Sequence, residues 1–332
     1  TKTRVVFNAS SPSSNGKSLN DMLMIGPTIQ RDLVEKIMSF RLHKYVFVCD
    51  IVKMYRQINI HQSDWTFQRF VWRQKPTDPI SDYWLTTVTF GTASAPYTAI
   101  RTLAQLALDQ KEENPVASKI LSTGAYVDDL HYGAQSVEEA QVGIRELMAA
   151  LGSAHFDARK FASNDPNIVD ELPEDYLETK EHQTFVGLLW DNGNDVLSIK
   201  KLNLAHSDQI TKRELLVSIA SIFDPLGWVQ PVVVPAKVLM QEIWKTNLEW
   251  DQVVSAGIAA KWKSIKQSLT DIHLVTIPRW MHHRSDERLE LHGFADASQL
   301  AYGAVIYAKF GGENSRIFIV VSKSRVAPLK LT

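Results

Sequence analysis

The stretch STGAYVDDLHYG, residues 122–133, sets two adjacent carboxylates inside an apolar run. Ala125, Tyr126 and Val127 precede Asp128 and Asp129, and Leu130 and Tyr132 follow. Glycines flanking β-forming residues predict a hairpin. Like charges side by side repel, and burying either is costly unless it is paired or holds a metal. The pair therefore needs either a solvated hairpin tip, where aspartate is common, or a cationic partner.

Working outward, YVFVCD at 45–50 is a β-rich apolar run that ends in Asp50 and predicts a buried strand. Asp50 could cap a following helical turn. If the two strands are neighbours in one sheet, three carboxylates converge at its edge. Carboxylate oxygens suit Mg²⁺ or Mn²⁺. Two such ions about 4 Å apart bind both the attacking and the leaving oxygen of a phosphoryl transfer. That chemistry requires Asp50 and Asp128 to lie within about 6 Å of each other.

The neighbouring segments supply a mixed α and β framework. Residues 58–74 alternate aromatic and β-branched side chains and predict paired strands, PTDP at 76–79 a turn, and YWLTTVTF at 83–90 a further strand closed by Gly91. Helical spacing runs from Ala95 to Gln110, with Pro96 near the first turn. Ser136 and Glu139 form a capping box that opens a helix to Leu151, stopped at Gly152. Residues 165–182 are acidic and turn-rich and predict an exposed loop, and 184–199 predict a hairpin around Asn192-Gly193. A second capping box, Thr211 and Glu214, opens a helix over 211–223. DPLG at 224–227 is a turn, 232–244 and 256–269 look helical, and 291–307 and the RIFIVVSKSRV run look strand-like. Changes in texture place domain boundaries near 200 and 285.

Composition bounds the function. The chain has 332 residues, 45% of them hydrophobic, enough for two or three cores. No run of about 18 apolar residues occurs, so no membrane span and no membrane partner is expected. The N-terminus lacks a signal-peptide core. A single cysteine, Cys49, excludes an internal disulfide and a cysteine metal cluster, and suits a reducing compartment. The formal net charge of −1 is unevenly spread. Residues 1–110 carry 13 Lys/Arg against 8 Asp/Glu, 111–200 carry 7 against 17, and 201–332 carry 16 against 12. Solvated surface accounts for this as well as two basic segments facing a polyanion.

In this order the motifs resemble those of reverse transcriptases. AYVDDL matches that family's Y-x-D-D box, and FVCDIVKMYRQI looks like its first catalytic motif. TFGTASAP at 89–96 looks like the motif supporting template and incoming nucleotide, HFDARKFASN at 155–164 like the lysine-bearing motif, and FVGLLW at 185–190 like the primer grip. RVVFNASSPSSNGKSLND at 4–21 resembles a fingers segment. With KRELLVSIASIFDPLGWVQP and LHGFADAS, the set is similar to the polyprotein of BEL/Pao-type LTR retrotransposons and covers nearly the whole chain.

The resemblance implies an α+β right-hand polymerase: fingers and palm over 1–199, a mostly helical thumb or connection over 200–285, and a partial RNase H-like α/β domain over 286–332. It implies RNA-directed DNA synthesis with two Mg²⁺ or Mn²⁺ ions, a primed RNA or DNA template, and dNTP. Asp50 and Asp128 would be metal ligands and Asp129 would assist by charge. The Ile51 carbonyl could add an oxygen. Tyr55 would exclude a 2′-hydroxyl, with a packed core aromatic as the competing account. Arg4 would hold the triphosphate, or be an ordinary strand arginine. Phe90 and Gly91 would face the nucleotide, or form a turn. Lys160 would protonate or neutralise the leaving pyrophosphate, or sit on an ordinary helix end. Trp190 would touch the primer backbone or fill a palm–thumb seam.

Asp296 matches the first RNase H aspartate. A lone aspartate cannot build a two-metal hydrolytic site, so RNase H activity is not expected of 286–332. Asn8 stands where related fingers motifs often carry aspartate, which would weaken nucleotide binding. Family nomenclature attaches a peptidase label to 200–285. An aspartic peptidase needs paired carboxylates, usually in Asp-Thr/Ser-Gly turns; Asp224 lies in FDPLG and no such turn occurs. A catalytically silent or domesticated nucleic-acid-binding relic is the other alternative. The resemblance also implies an intracellular setting, in cytoplasmic particles.

Overall fold

The structure is a computed structural model and describes residues 7–180, 182–204, 209–284, 286–311 and 315–328. It divides into two compact units: Thr1–Asp32 with Tyr45–Thr179, and Leu33–Lys44 with Lys180–Thr332. In chain order the elements are α1 (Leu19–Met22), α2 (Leu33–Leu42), β1 (Tyr45–Ile51), α3 (Met54–Gln57), β2 (Arg69–Trp72), β3 (Ser81–Trp84), α4 (Ala95–Asp109) and α5 (Pro115–Lys119). There follow β4 (Ala125–Tyr126), β5 (Asp129–Ala134), α6 (Val137–Ser153), β6 (Ala158–Ser163), β7 (His182–Phe185), β8 (Leu188–Asp191) and β9 (Val196–Ser198). The last are α7 (Lys212–Ala220), α8 (Gln230–Trp244), α9 (Ala256–Thr270), β10 (Thr276–Pro278), β11 (Leu289–Ala297), β12 (Ala301–Phe310) and β13 (Arg316–Val326).

The first unit is built on an antiparallel sheet ordered β4-β5-β1-β6. β1 is buried at Val46, Phe47, Val48, Cys49 and Ile51, as an apolar central strand should be. Phe47, Cys49 and Ile51 share a core with α4 and α6. α4 buries Ala95, Ala99, Leu103, Leu106 and Ala107, one face at helical spacing. α6 buries Ile144, Leu147 and Leu151, and Gly143 lets it close on the sheet, since a Cβ there would meet the Tyr132 ring at 3.0 Å. The Ser136 side chain caps α6 by accepting from Glu139 N, while the Glu139 carboxylate turns to Gln135 N (2.7 Å) and the Tyr132 hydroxyl (2.9 Å). The helix runs to Ser153, two residues beyond the expected end.

Other expectations in this unit need correction. Only Arg69–Trp72 and Ser81–Trp84 pair as strands; Gln62–Gln68 is a 3-10 helix. There the His61 ring accepts from Ser63 N and the Trp65 indole donates to Ile60 O (2.9 Å), so local bonds displace the ladder. The 83–90 strand stops at Trp84, leaving one bridge between Asn59 and Thr87. The acidic 165–182 segment holds 3-10 turns at Pro166–Ile168 and Glu174–Tyr176 and is anchored by buried Ile168. Val169, Leu172 and Leu177 pack on the same core.

The second unit holds the sheet β10-β9-β8-β7 and the sheet β11-β12-β13. In it Phe40 of α2 stacks on Phe185 (4.0 Å between centroids) and meets Trp190 edge-on (5.0 Å). Arg279 is fully buried. It grips Asp195 through Nε (2.6 Å) and Nη2 (2.7 Å) and donates to the carbonyls of Phe40, His43 and Lys44. The predicted two-residue turn at Asn192-Gly193 is a four-residue loop, because Asp191 pairs with Val196. Asp191 holds that loop by accepting from Asn194 N (2.9 Å), which presents Asp195 to Arg279. The Thr211/Glu214 capping box forms as expected, though α7 ends at Ala220. Among the described residues no helix is long and apolar enough to cross a membrane.

Candidate metal centre

The site grows from strand register. β1 and β5 run antiparallel with Asp50 directly opposite Asp129. Tyr126 pairs with Asp129, which leaves Val127 and Asp128 as the bend. The Ile51 N–H donates to the Asp128 carbonyl (2.9 Å), fixing the bend beside the end of β1. Asp50, Asp128 and Asp129 consequently present oxygens that all lie within 4.8 Å of one another. Two carboxylates at that spacing repel by about 3 kcal/mol at an effective dielectric constant of ~20, before solvent screening reduces it. The donor set is all carboxylate, which fits a hard divalent cation such as Mg²⁺ or Mn²⁺.

The electrostatics agree with crowding. Partial burial pushes the Asp128 carboxyl above its ordinary range, and the Asp50 charge adds to this against the opposing pull of its own backbone N–H and Lys160. Burial, helped by Asp50 and Asp129, also drives the Cys49 thiol far up, so it stays protonated and inert. The Tyr55 hydroxyl is raised by burial and then by Asp128.

Two features of this site, the brace on Val127 and the bulge at Lys160, left no mark in the sequence patterns. Val127 adopts φ +56°, a left-handed conformation unfavourable for a β-branched residue. Its N–H is held by the Gln30 side-chain oxygen (2.9 Å). Lys160 lies in β6, not on a helix end as the competing account had it. Between the pairs Val48–Ala162 and Asp50–Arg159, β6 carries one extra residue, and Lys160 sits there at φ +58°. From this bulged position its ammonium reaches Asp50 Oδ2. The contact raises the lysine above its ordinary pKa, opposed by partial desolvation.

Around this core, the Tyr55 ring packs against Phe90 (4.6 Å between centroids), whose side chain is exposed. Gly91 takes φ +95°, and a Cβ there would fall 2.5 Å from the Phe7 carbonyl oxygen, so the turn at this position requires glycine. Asn20 ties this loop by donating to Gly91 O (3.0 Å) and accepting from Ala93 N (2.8 Å). Asn8 accepts from Ser10 N (3.2 Å) in a local turn. Ile51 is buried, and Arg4 lies outside the described residues.

The remaining candidates lie in the second unit. Trp190 is fully buried, with its indole donating to Asp195 (3.1 Å), so the ring has no surface for a primer and fills a core. Asp296 is exposed on β11 and lines a cavity with Gln230, Tyr302 and Lys323. Among the described residues the acidic trio with metal-binding spacing is Asp50, Asp128 and Asp129, and none includes Asp296. The Asp224 carboxylate accepts from Trp228 N, Val229 N and the Gln230 amide, a structural task at the start of α8 that leaves it no peptidase geometry.

Comparison with known proteins gives two likenesses. A family model described as "Pao retrotransposon-like RNaseH-like domain" matches residues 211–332, so the matched segment includes α7, α8 and α9 as well as β11–β13. No curated protein matches the sequence. Among solved structures, the foamy viral protease-reverse transcriptase dRH in complex with ds DNA aligns with a TM-score of 0.60 over 95% of this chain, at 14% identity. The chain spans 50% of the length of that protein. The shared feature is the fold: a mixed α/β architecture like that of a retroviral reverse transcriptase and RNase H region. The Pao likeness rests on 211–332, and for 1–199 the comparisons show a likeness of fold alone.

Proposed function

We propose that the chain is the RNA-directed DNA polymerase region of a BEL/Pao-type retrotransposon polyprotein. Fingers and palm would occupy 1–199, a helical thumb or connection 200–285, and an RNase H-like start 286–332. The convergence of Asp50, Asp128 and Asp129 within 4.8 Å carries this proposal. Two Mg²⁺ or Mn²⁺ ions held there would neutralise charge on the transferred phosphoryl group. The chain's own residues do the positioning. Asp50 and Asp128 would fix the reacting centre from the end of β1 and the β4–β5 bend, which are joined by the Ile51 N–H bond to the Asp128 carbonyl. Phe90 and Gly91 offer a surface to the nucleotide, and Tyr55, packed against Phe90, blocks a 2′-hydroxyl. Catalysis of this type is mostly positioning and charge neutralisation. A primed template and dNTP are the proposed partners, and a cytoplasmic particle is the setting carried over from the resemblance.

Primer extension on poly(rA)/oligo(dT) with dTTP and Mg²⁺ or Mn²⁺ tests the proposal. Extension should occur and Asp128→Asn should abolish it. Extension that survives this substitution refutes the mechanism. Duplex binding without extension in the unaltered protein supports the silent-relic alternative.

A further inference from the structure

The bulge in β6 singles out Lys160. A left-handed conformation is unfavourable for lysine, and an extra strand residue interrupts the ladder. If the register of Val48–Ala162 continued unbroken, Lys160 would stand directly opposite Asp50; the extra residue gives that place to Arg159 and leaves Lys160 outside the ladder. Its ammonium nevertheless lies on Asp50 Oδ2 and also feels Asp128 and Glu178. The lysine is half-exposed, so burial does not force the contact. The sheet brings together three acids that repel one another, and Lys160, though outside the ladder, sets one tethered positive charge on them.

We infer that Lys160 is a built-in counter-ion that stabilises the carboxylate trio when no metal is bound and competes with divalent metal for Asp50. This rests on the proposed metal centre and gives Lys160 a role distinct from leaving-group protonation. A divalent cation entering at Asp50 Oδ2 must displace the ammonium, so the lysine sets the metal concentration at which the site fills. It also keeps Asp50 oriented toward the bend before filling. Release from Asp50 leaves the ammonium free for other anionic groups at the site.

The test compares the full 332-residue chain with Lys160→Met, Lys160→Arg and Lys53→Met. Lys53→Met removes the same charge from the exposed turn after β1. Mn²⁺ binding is followed by electron paramagnetic resonance of free ion, and thermal melting is recorded in EDTA and in saturating Mn²⁺. Lys160→Met should bind Mn²⁺ about tenfold more tightly, and should melt lower than the unaltered chain in EDTA with the gap closing in Mn²⁺. Lys160→Arg should retain near-normal affinity, and Lys53→Met should change it by no more than about twofold. Equal or weaker Mn²⁺ binding by Lys160→Met overturns the inference alone, as does an equal gain in Lys53→Met. Absence of saturable Mn²⁺ binding in every protein overturns the metal centre, and the inference with it.

Discussion

Gly124 immediately precedes β4, and its Cα faces the carbonyl of His131 on β5. A Cβ added there would lie 2.1 Å from the His131 oxygen and 3.3 Å from its carbonyl carbon. Relief needs a displacement of about 1 Å, since non-bonded carbon and oxygen rarely approach closer than about 3 Å. The obstacle is backbone, so no rotamer change can supply the displacement. His131 is two residues from Asp129 on the same strand, and the movement is therefore transmitted to the carboxylate trio. Overpacking of this kind costs about 1–3 kcal/mol. For a unit of this size each kcal/mol lowers the melting temperature by about 2–4 °C, so Gly124→Ala should melt roughly 2–12 °C lower. Its Mn²⁺ affinity should fall as well, because a shift near 1 Å spoils a site built on fixed spacing. Gly152→Ala, within α6 and with nothing within 4 Å of the added carbon, is the control and should melt at the same temperature or slightly higher. Differential scanning fluorimetry and Mn²⁺ titration on both variants decide the matter. Gly124→Ala melting within a degree of the unaltered chain, with unchanged Mn²⁺ affinity, refutes the claim that this close contact sets the geometry of the bend.

Three further outcomes follow from the same geometry. Folded Asp128 keeps its proton to higher pH than the ordinary value of 3.8, so between these limits the folded state binds more protons and stability falls as pH rises. Metal-free Asp128→Asn should therefore be more stable than the unaltered chain at pH 7, and the gain should shrink as pH falls through that window, as seen in urea melts in EDTA. Tyr55→Val should relax discrimination against ribonucleotides by roughly 10- to 100-fold in single-nucleotide extension; unchanged discrimination would leave Tyr55 as a packing partner of Phe90. Arg279→Met strands Asp195 and three backbone carbonyls, and should destabilise the second unit by about 3–5 kcal/mol in denaturant melts while leaving Mn²⁺ affinity intact.

The parts legible in sequence are those set by short-range periodicity and turn chemistry. The apolar run of β1, the helical face of α4, the Thr211 capping box and the flanking glycines of the β4–β5 hairpin all declare themselves within a few residues. Local polar bonds overrode periodicity at Gln62–Gln68, where His61 and Trp65 build a 3-10 turn inside a β-rich pattern. A side-chain contact far along the chain did the same at Asp195, which Arg279 draws out of a tight turn. The acidic pair was legible because repulsion in an apolar run needs a cause. The Lys160 bulge was not, because an extra strand residue depends on the partner strand's register. Nor was the Gln30 brace, which reaches the bend from 97 residues away. Trp190 shows the limit of motif likeness: its position resembled a primer contact, but its ring is enclosed by Phe40 and bonded to Asp195.

The most direct measurement is Mn²⁺ binding to the unaltered chain, to Asp50→Asn, to Asp128→Asn and to the double variant, analysed as a thermodynamic cycle. Shared coordination predicts that either single substitution weakens binding at least tenfold and that the second adds much less than the first. Independent, additive losses, or singles that bind like the unaltered chain, would show that the end of β1 and the β4–β5 bend do not hold one cation between them.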